Sequence, residues 1–300
     1  MKTSKKALAP FLSAIVIFGT VGLVRRAIPL SSAAIAAMRG IVGAIVLLTV
    51  LFIRQKRFDR SVTGKQTLWL ILSGMMIGFN WILLFEAYCY TSVAVATLGY
   101  YMAPAIVLAV SPLLFGEKLT GRKIGCLFAS LVGMAFVSGV IPGGLPSPSE
   151  AKGVLLSLAA AVLYAGDVLI NKKLPDVPAM EKTVIQLAAA GLSVLPYAIF
   201  TGLGDIASMT TVAWILLAVL CLVHTGLAYL LYFGAIPSLP AQSVALLAYL
   251  DPIVAILLSA LILKERMNLW EGIGAVLIIG ALMVSEISRK TGKTKETGCE

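Results

Sequence analysis

Several ionisable side chains lie inside long apolar stretches of this chain. The most prominent is Asp251, which stands directly before Pro252 in an otherwise apolar run. A charged or polar side chain in hydrocarbon is energetically unfavourable, so each such residue is a candidate for binding or proton transfer. Because proline cannot donate a backbone hydrogen bond and kinks a helix, carbonyl groups near Pro252 should be free to line a cavity. A carboxylate beside free carbonyls suits an amine or a proton.

Other polar side chains also lie within apolar stretches, most of them near the middle. The candidates for contact with a small molecule are Asp251, Arg39, Asn80, Trp81, Tyr100, Tyr101, Tyr249 and His224. The candidates for proton coupling are Asp251, Glu86, His224 and Asp167, of which Glu86 and Asp167 lie nearer to the two membrane faces.

Each of these candidates also has a structural alternative. Arg39 could form a buried ion pair with Asp251 or Asp167, because buried charges need partners. His224, the single histidine, could make an interhelical hydrogen bond instead of relaying protons. Aromatic side chains on packed helices are often part of a core. Both interpretations therefore stay open for the charged residues and for the tyrosines.

The composition indicates a polytopic membrane protein. Of the 300 residues, 59% are hydrophobic and only 13% are charged, and the mean hydropathy is +0.98. Soluble domains carry about 25% charged residues. The net charge of +10 then reflects basic loops on one side of a membrane, and it gives no support to nucleic-acid binding.

Ten stretches are long and apolar enough to form membrane-spanning helices of about 20 residues. They are predicted over residues 7–25, 31–53, 67–89, 92–115, 122–140, 152–170, 180–201, 211–235, 240–263 and 269–287. The first stretch follows three lysines, as a signal peptide does. We expect it to belong to the fold, because it takes part in an internal repeat.

The repeat is visible as matching residues at a nearly constant spacing. Pairs 147 or 148 residues apart are Gly19 and Gly166, Gly78 and Gly226, Phe85 and Phe233, Ala87 and Ala235, Pro104 and Pro252, Glu117 and Glu265, Gly125 and Gly272, and Gly133 and Gly280. Such a series predicts a duplication.

Five helices in each half is an odd number, so the halves should be inverted relative to each other. We therefore expect an all-α integral membrane protein with ten transmembrane helices in two inverted five-helix repeats. The predicted units are a first repeat at 1–141, a linker at 142–150, a second repeat at 151–288 and a cytoplasmic tail at 289–300.

The basic residues predict the orientation in the membrane. Clusters of lysine and arginine occur near both termini and in alternate loops, so ten spans place them on one side. The positive-inside rule then puts both termini in the cytoplasm, and the plasma (inner) membrane is the expected location. Arg25 and Arg26 lie on the other side and are the one exception.

Two passages carry a resemblance to a known family. They are YYMAPAIVLAVSPLLFGEKLTGRKIG and AYLDPIVAILLSALILKERMNLWEGIG, each with a central proline, then a glutamate beside a basic residue, then a glycine-containing helix. In this pattern the chain resembles the drug/metabolite transporter superfamily, in the branch with two EamA-type domains. The resemblance covers essentially the whole chain. It implies two inverted halves around a central cavity and transport by alternating access.

The resemblance does not fix the substrate, since the family carries amino acids, nucleotide precursors, sugars and drugs. A carboxylate at Asp251 and a cation at Arg39 would match a zwitterion, so we expect export of amino acids or related small polar metabolites. Export is implied by the resemblance alone. One alternative is a multidrug or organic cation exporter. It is less favoured, because the four-helix multidrug branch of this superfamily has a glutamate in its first helix and the first helix of this chain has none. The other alternative is a passive membrane channel.

Other functional classes find less support. HExxH, GxSxG and GxxxxGK[ST] sequences are absent, so neither an enzyme nor an ATP-driven pump is expected, and no cofactor or metal is implied. The four cysteines show no metal-ligand spacing. A scaffold or sensor would need a larger soluble part than the short tail. The expected partners are a small-molecule substrate and the lipid bilayer, with proton coupling and a homodimer as further hypotheses. Glu117 and Glu265, at helix ends, are interpreted as structural hinges or as caps of the next helix, and not as substrate ligands.

Overall fold

The computed structural model of the protein describes residues 5–21, 24, 28–55, 62–90, 96, 99–137, 151–251, 253–254 and 269–291. Some residues singled out in the sequence lie outside this part, namely Arg25, Arg26, Pro252 and Glu265, and so do the linker 142–150 and residues 292–300 of the tail.

The described chain folds into ten α-helical segments. They are α1 (Lys5–Gly19), α2 (Ser32–Gln55), α3 (Gly64–Tyr90), α4 (Ala103–Phe115), α5 (Gly121–Val137), α6 (Ala151–Lys173), α7 (Ala179–Thr201), α8 (Thr211–Cys221 continued by Leu222–Leu227 and Ala228–Ala235), α9 (Ala241–Leu247) and α10 (Leu269–Thr291). Each overlaps one of the ten predicted stretches. The middle part of α8, Leu222–Leu227, is a π-helix.

The surface and the helix lengths are those of a membrane protein. Among the described residues, five helices are long and apolar enough to cross a bilayer, over Ser32–Ile53, Gly64–Leu84, Ala151–Lys173, Ala179–Thr201 and Thr211–Ser238. Shorter apolar helices accompany them. Large apolar side chains point outward, including Leu113 (85% exposed), Phe200 (88%) and Val276 (71%). Lipid chains can cover such side chains, whereas contiguous exposed apolar surface is unfavourable in water. The protein is an all-α integral membrane protein with ten transmembrane helices in two inverted five-helix repeats.

The helix contacts show how the two halves are related. α2 packs on α7, α4 on α9, and α5 on α10, so three helices of the first half contact their own counterparts in the second. The remaining contacts are α1 with α8 and α3 with α6. Since α6 is the counterpart of α1 and α8 that of α3, each of these two contacts is the counterpart of the other. This is the pattern that a two-fold axis between the halves produces.

Glycines allow the closest helix contacts between the halves. A Cβ added to Gly40 would lie 2.5 Å from Gly191 in α7, and one added to Gly74 would lie 2.3 Å from the Gln186 carbonyl oxygen. A Gly-x-x-x-Gly spacing permits close helix contact, and Gly74 and Gly78 of α3 make such a contact with α7. Gly121 and Gly125 have the same spacing, but a Cβ added to either would meet no described atom within 4 Å.

Contacts between helix ends agree with successive helices crossing a membrane in opposite directions. At one end, the Ser31 backbone N–H before α2 donates to the Leu203 carbonyl oxygen after α7, at 3.0 Å. At the other end, the Lys172 ammonium at the end of α6 donates to the Pro237 carbonyl oxygen after α8, at 3.0 Å. We call this second end, which carries Lys118, Lys123, Lys172 and Lys173, the basic end.

Candidate functional site

A cavity of about 100 Å³ lies between helices of both repeats. Its walls are contributed by α1, α4, α6, α8 and the residues that follow α9. The lining residues are Ile15, Phe18, Tyr100, Tyr101, Pro104, Tyr164, Tyr229, Tyr232, Ala248 and Asp251. Five of the ten are tyrosines, and Asp251 is the one carboxylate among them. Such a lining combines aromatic faces, hydroxyl groups and a single charge.

The helical backbone is interrupted beside this cavity in both repeats. The Tyr249 N–H bonds the Leu246 carbonyl oxygen at 3.1 Å, and the Met102 N–H bonds that of Gly99 at 3.1 Å. Both are bonds to the third preceding residue, which tighten the chain relative to an α-helix. Tyr101 and Tyr249 lie 148 residues apart, the spacing of the repeat. The two interruptions therefore lie within one residue of equivalent positions in the two halves.

The two equivalent tyrosines meet between the repeats. The rings of Tyr101 and Tyr249 stack with centroids 5.9 Å apart and planes 25° apart. The Tyr249 hydroxyl donates to the Tyr101 carbonyl oxygen at 2.9 Å. This carbonyl lies at the helix interruption that precedes Pro104, the repeat equivalent of Pro252, which is itself outside the described residues.

Asp251 breaks the symmetry of this pair. The Tyr101 hydroxyl does not bond the backbone of the other half but donates to the Asp251 Oδ2 at 3.1 Å. The residue equivalent to Asp251 in the first repeat is Ala103, so only one half contributes a carboxylate. Asp251 is partly exposed to the cavity. Its second oxygen is therefore in a position to accept a hydrogen bond from a bound molecule.

Aromatic rings enclose the remaining sides of the cavity. The hydroxyls of Tyr164 and Tyr232 lie 2.6 Å apart, so α6 is joined to α8. The Tyr100 and Tyr164 rings are 5.6 Å apart, and Phe18 lies 5.1 Å from Tyr229. Aromatic faces attract cations through their quadrupole. A carboxylate within such a wall favours a positively charged group over a negative one.

Arg39 lies behind one wall of the cavity. Its Nε donates to the Thr225 hydroxyl at 2.9 Å, and its guanidinium carbon lies 4.8 Å from the centre of the Trp81 ring. The Trp81 ring in turn lies 6.2 Å from that of Tyr229, which lines the cavity. Among the described contacts Arg39 does not pair with Asp251 or Asp167, so the alternative of a structural ion pair is not the arrangement found here.

The π-helix of α8 positions the partners of Arg39 and His224. Its wider turn lets the Thr225 hydroxyl donate to the Leu220 carbonyl oxygen, five residues back, at 2.9 Å while it accepts from Arg39. His224 Nε2 lies 2.6 Å from the Thr20 hydroxyl, just past α1. His224 does not line the cavity, and this contact matches the interhelical hydrogen bond that was the structural alternative for it.

Asp167 belongs to a separate buried cluster. Its carboxylate accepts from the Ser73 hydroxyl and from the amides of Asn171 (2.8 Å) and Gln186 (3.5 Å). The Gln186 amide also donates to the Ser73 hydroxyl at 2.5 Å. Asp167 is 1% exposed and does not line the cavity. The cluster joins α3, α6 and α7 where they pack.

Two further predicted residues make structural contacts away from the cavity. The Asn80 amide donates to the Ala160 carbonyl oxygen at 2.6 Å and so ties α3 to α6. Glu86 accepts a hydrogen bond from the Tyr197 hydroxyl, which joins α3 to α7. Both lie outside the lining, as do Trp81 and Tyr249.

The structure thus brings Asp251, Tyr100 and Tyr101 together, as the sequence predicts, and adds aromatic residues that the sequence analysis missed. The added aromatic residues are Phe18, Tyr164, Tyr229 and Tyr232. Tyr229 and Tyr232 are three residues apart on one helix, a spacing that could have indicated a shared face. Within the described residues no group of three or more His, Cys, Asp or Glu side chains could hold a metal ion.

Comparison with known proteins gives a consistent result. An uncharacterized transporter of Bacillus subtilis, YxxF, is 25% identical over 99% of this chain and 94% of its own length. Protein PecM of Dickeya dadantii is 28% identical over 71% of each chain. One solved crystal structure superposes with a TM-score of 0.83 over 96% of this chain and 100% of its own length. Its sequence is 20% identical, so this similarity shows the fold alone. The EamA-like transporter family matches residues 5–139 and again 151–286. The chain therefore belongs to the EamA-like transporter family.

Proposed function

We propose that this transporter exports amino acids or related small polar metabolites by alternating access. The observation that carries the proposal is Asp251, a single carboxylate in a tyrosine-lined cavity where equivalent helix interruptions of the two repeats meet. Secondary transporters with inverted repeats bind their substrates at such interrupted helices between the repeats. The direction of transport rests on the family resemblance.

The ammonium group of the substrate binds Asp251 in this proposal. The carboxylate offers one oxygen to Tyr101 and leaves acceptor capacity for a donor in the cavity. Tyrosine rings on the surrounding walls add cation–π attraction. A cavity of about 100 Å³ is smaller than the roughly 300–1,000 Å³ of typical ligand sites, so the site must widen to take up a metabolite.

The carboxylate group of the substrate binds Arg39 once the site widens. Among the described contacts Arg39 makes its hydrogen bond through Nε, which leaves the terminal nitrogens for a bidentate pair with a carboxylate. The rings of Trp81 and Tyr229 lie between Arg39 and the cavity. Rotation of these two rings would join the two charges into one zwitterion site.

A second candidate, an organic cation exporter, is favoured by the same lining. Among its described lining residues the cavity has one carboxylate and several aromatic faces, and Arg39 is not one of them. This combination would accept a cation that has no carboxylate at all. The two candidates differ in whether Arg39 takes part in binding.

Thermal stabilisation of the detergent-purified protein tests both candidates. A ligand that binds the folded state raises the unfolding temperature by mass action. We expect a shift with at least one amino acid or related zwitterion, lost in Asp251→Asn and Arg39→Gln and kept in the exposed control Asp176→Asn. Loss in Asp251→Asn alone, with organic cations as the active ligands, would replace the first candidate by the second. No shift with any amino acid, nucleoside, sugar or organic cation would count against a metabolite site in this cavity.

Proton coupling is proposed through Asp251, with Glu86 and His224 as further groups to be tested. Transport in vesicles that is insensitive to an imposed pH gradient would remove this part of the proposal. Single-channel currents far above carrier turnover would instead favour a passive channel. The basic loops support a position in the inner membrane with both termini in the cytoplasm.

A further inference from the structure

The chain between α8 and α9 is held by charged and polar side chains from three other helices or helix ends. We call residues 237–242, which include the first two residues of α9, the α8–α9 segment. Lys172 at the end of α6 donates to the carbonyl oxygens of Pro237 (3.0 Å) and Leu239. Glu117, just after α4, and Lys123 in α5 contact the other end of the segment. Two of these three side chains belong to the first repeat, whereas the segment belongs to the second.

Glu117 caps the start of α9. Its carboxylate accepts from the backbone N–H groups of Ala241 (2.8 Å) and Gln242 (3.3 Å). The first N–H groups of a helix have no partner within the helix, and Pro240 at the cap position has no side-chain oxygen to supply one. The sequence pattern indicates a cap for the next helix in the chain, but the helix that Glu117 caps lies in the other repeat.

Gln242 reinforces the same contact from inside the protein. Its amide nitrogen donates to the Ser111 hydroxyl at 2.9 Å, and its amide oxygen accepts from the Lys123 ammonium. Gln242 and Ser111 are both fully buried. Buried amide and hydroxyl groups that lose their partners are unfavourable, so this arrangement is stable only while α9 stays against α4 and α5.

Helix α9 fills the space between the α8–α9 segment and the tyrosine cavity. All seven residues from Ala241 to Leu247 are buried. They are followed directly by Ala248 and, three residues later, Asp251, both of which line the cavity. Seven residues of α-helix extend about 10 Å. A molecule moving from the cavity to the basic end along this side would meet α9 as a packed plug.

We propose that the contact of Glu117 with the start of α9 is the latch that closes the cavity toward the basic end. This inference rests on the proposed alternating-access function, because only a carrier must open this path in one state and close it in another. Release of the two N–H bonds to Glu117 lets α9 move away from α4 and opens the path. The latch joins the two repeats, so its release is coupled to their relative movement.

Labelling of one cysteine from the basic end tests the latch. Ala248→Cys is introduced into a chain whose four native cysteines are replaced by alanine, and an impermeant maleimide is added to inside-out or right-side-out vesicles. Glu117→Gln removes the charge and should raise the labelling rate from the basic end by on the order of 10-fold, as expected for loss of bonds to a charged acceptor. Asp176→Asn, an exposed carboxylate at the same end, should leave the rate unchanged.

The outcomes separate the latch from the substrate proposal, because labelling needs no substrate. An unchanged rate in a Glu117→Gln protein that elutes and unfolds like the parent overturns the latch. An increase that Asp176→Asn reproduces also overturns it. If Glu117→Gln does not fold, Lys172→Met is judged by the same criterion, since Lys172 holds the other end of the α8–α9 segment. If the parent protein binds substrate but Glu117→Gln leaves the labelling rate unchanged, the proposed function stands and the latch is overturned.

Discussion

Asp251 and Asp167 are both carboxylates of the second repeat, but their surroundings differ. Asp251 accepts one side-chain hydrogen bond, from Tyr101, and is partly exposed to a cavity. Asp167 is almost fully buried and accepts hydrogen bonds from three side chains of three helices. Asp251 has acceptor capacity facing a cavity, whereas the hydrogen bonds to the Asp167 carboxylate all reach its Oδ1 from side chains of packed helices.

This difference separates a binding group from a structural one. A buried polar group that is satisfied by its neighbours stabilises helix packing and has nothing left to offer a ligand. A carboxylate in a cavity with an incomplete set of donors is a candidate for recognition. Arg39 is intermediate, because it is buried and its Nε bonds Thr225, yet none of the described contacts pairs it with a carboxylate.

The largest effect is expected for removal of the structural carboxylate. Asp167→Ala leaves the Ser73 hydroxyl and the Asn171 and Gln186 amides without their shared acceptor and should lower the free energy of unfolding by about 2–3 kcal/mol. The measurement is unfolding in mixed micelles by circular dichroism. Asp176→Ala, at an exposed position between α6 and α7, should change stability by less than about 0.5 kcal/mol. Equal stabilities for the two variants would mean that the Asp167 cluster does not hold the helices together.

The opposite pattern is expected at the cavity. Asp251→Asn should weaken binding of an amine-bearing ligand by roughly 10-fold or more, since a charge-assisted bond is lost. Its unliganded unfolding temperature should stay close to that of the parent, because only one hydrogen bond to Tyr101 is altered. Titration calorimetry with the active ligand gives the affinity. A variant that binds normally but is strongly destabilised would reverse the roles assigned to the two carboxylates.

A matched pair of tyrosine variants sharpens the comparison at the centre of the repeat. Tyr101→Phe removes the hydroxyl that orients Asp251, and affinity should fall about 5-fold. Tyr249→Phe removes the equivalent hydroxyl of the other half, which bonds a backbone carbonyl, so about 1 kcal/mol of stability should be lost with less change in affinity. Identical behaviour of both variants in binding and unfolding would show that the broken symmetry at Asp251 has no functional consequence.

The sequence predicted the architecture because spans and repeats are one-dimensional features. The length of each apolar stretch and the 148-residue spacing of Pro104 and Pro252 do not depend on which way a helix faces. The midplane position of Asp251 could be counted in the same way. Its cavity neighbours Tyr100 and Tyr101 precede the equivalent proline of the first repeat, so they were found with it.

The remaining lining residues depend on rotation about each helix axis. The π-helix at Leu222–Leu227 adds a residue to one turn of α8 and shifts everything after it by about 100°. Counting from the start of α8 therefore could not place Tyr229 and Tyr232. Glycine spacing has a similar limit, since Gly121 and Gly125 permit a close contact but do not supply the partner helix.

The smallest effect is expected at the one histidine. His224 bonds Thr20 across the α1–α8 contact, and such interhelical bonds in membranes contribute about 0.6 kcal/mol on average. His224→Gln should therefore lower stability by less than about 1 kcal/mol and leave the pH dependence of transport unchanged. The check is uptake into proteoliposomes over a range of pH, compared with Asp251→Asn. If His224→Gln abolishes the pH dependence while Asp251→Asn keeps it, proton coupling runs through the π-helix, and the polar residues outside the cavity carry more of the mechanism than the carboxylate within it.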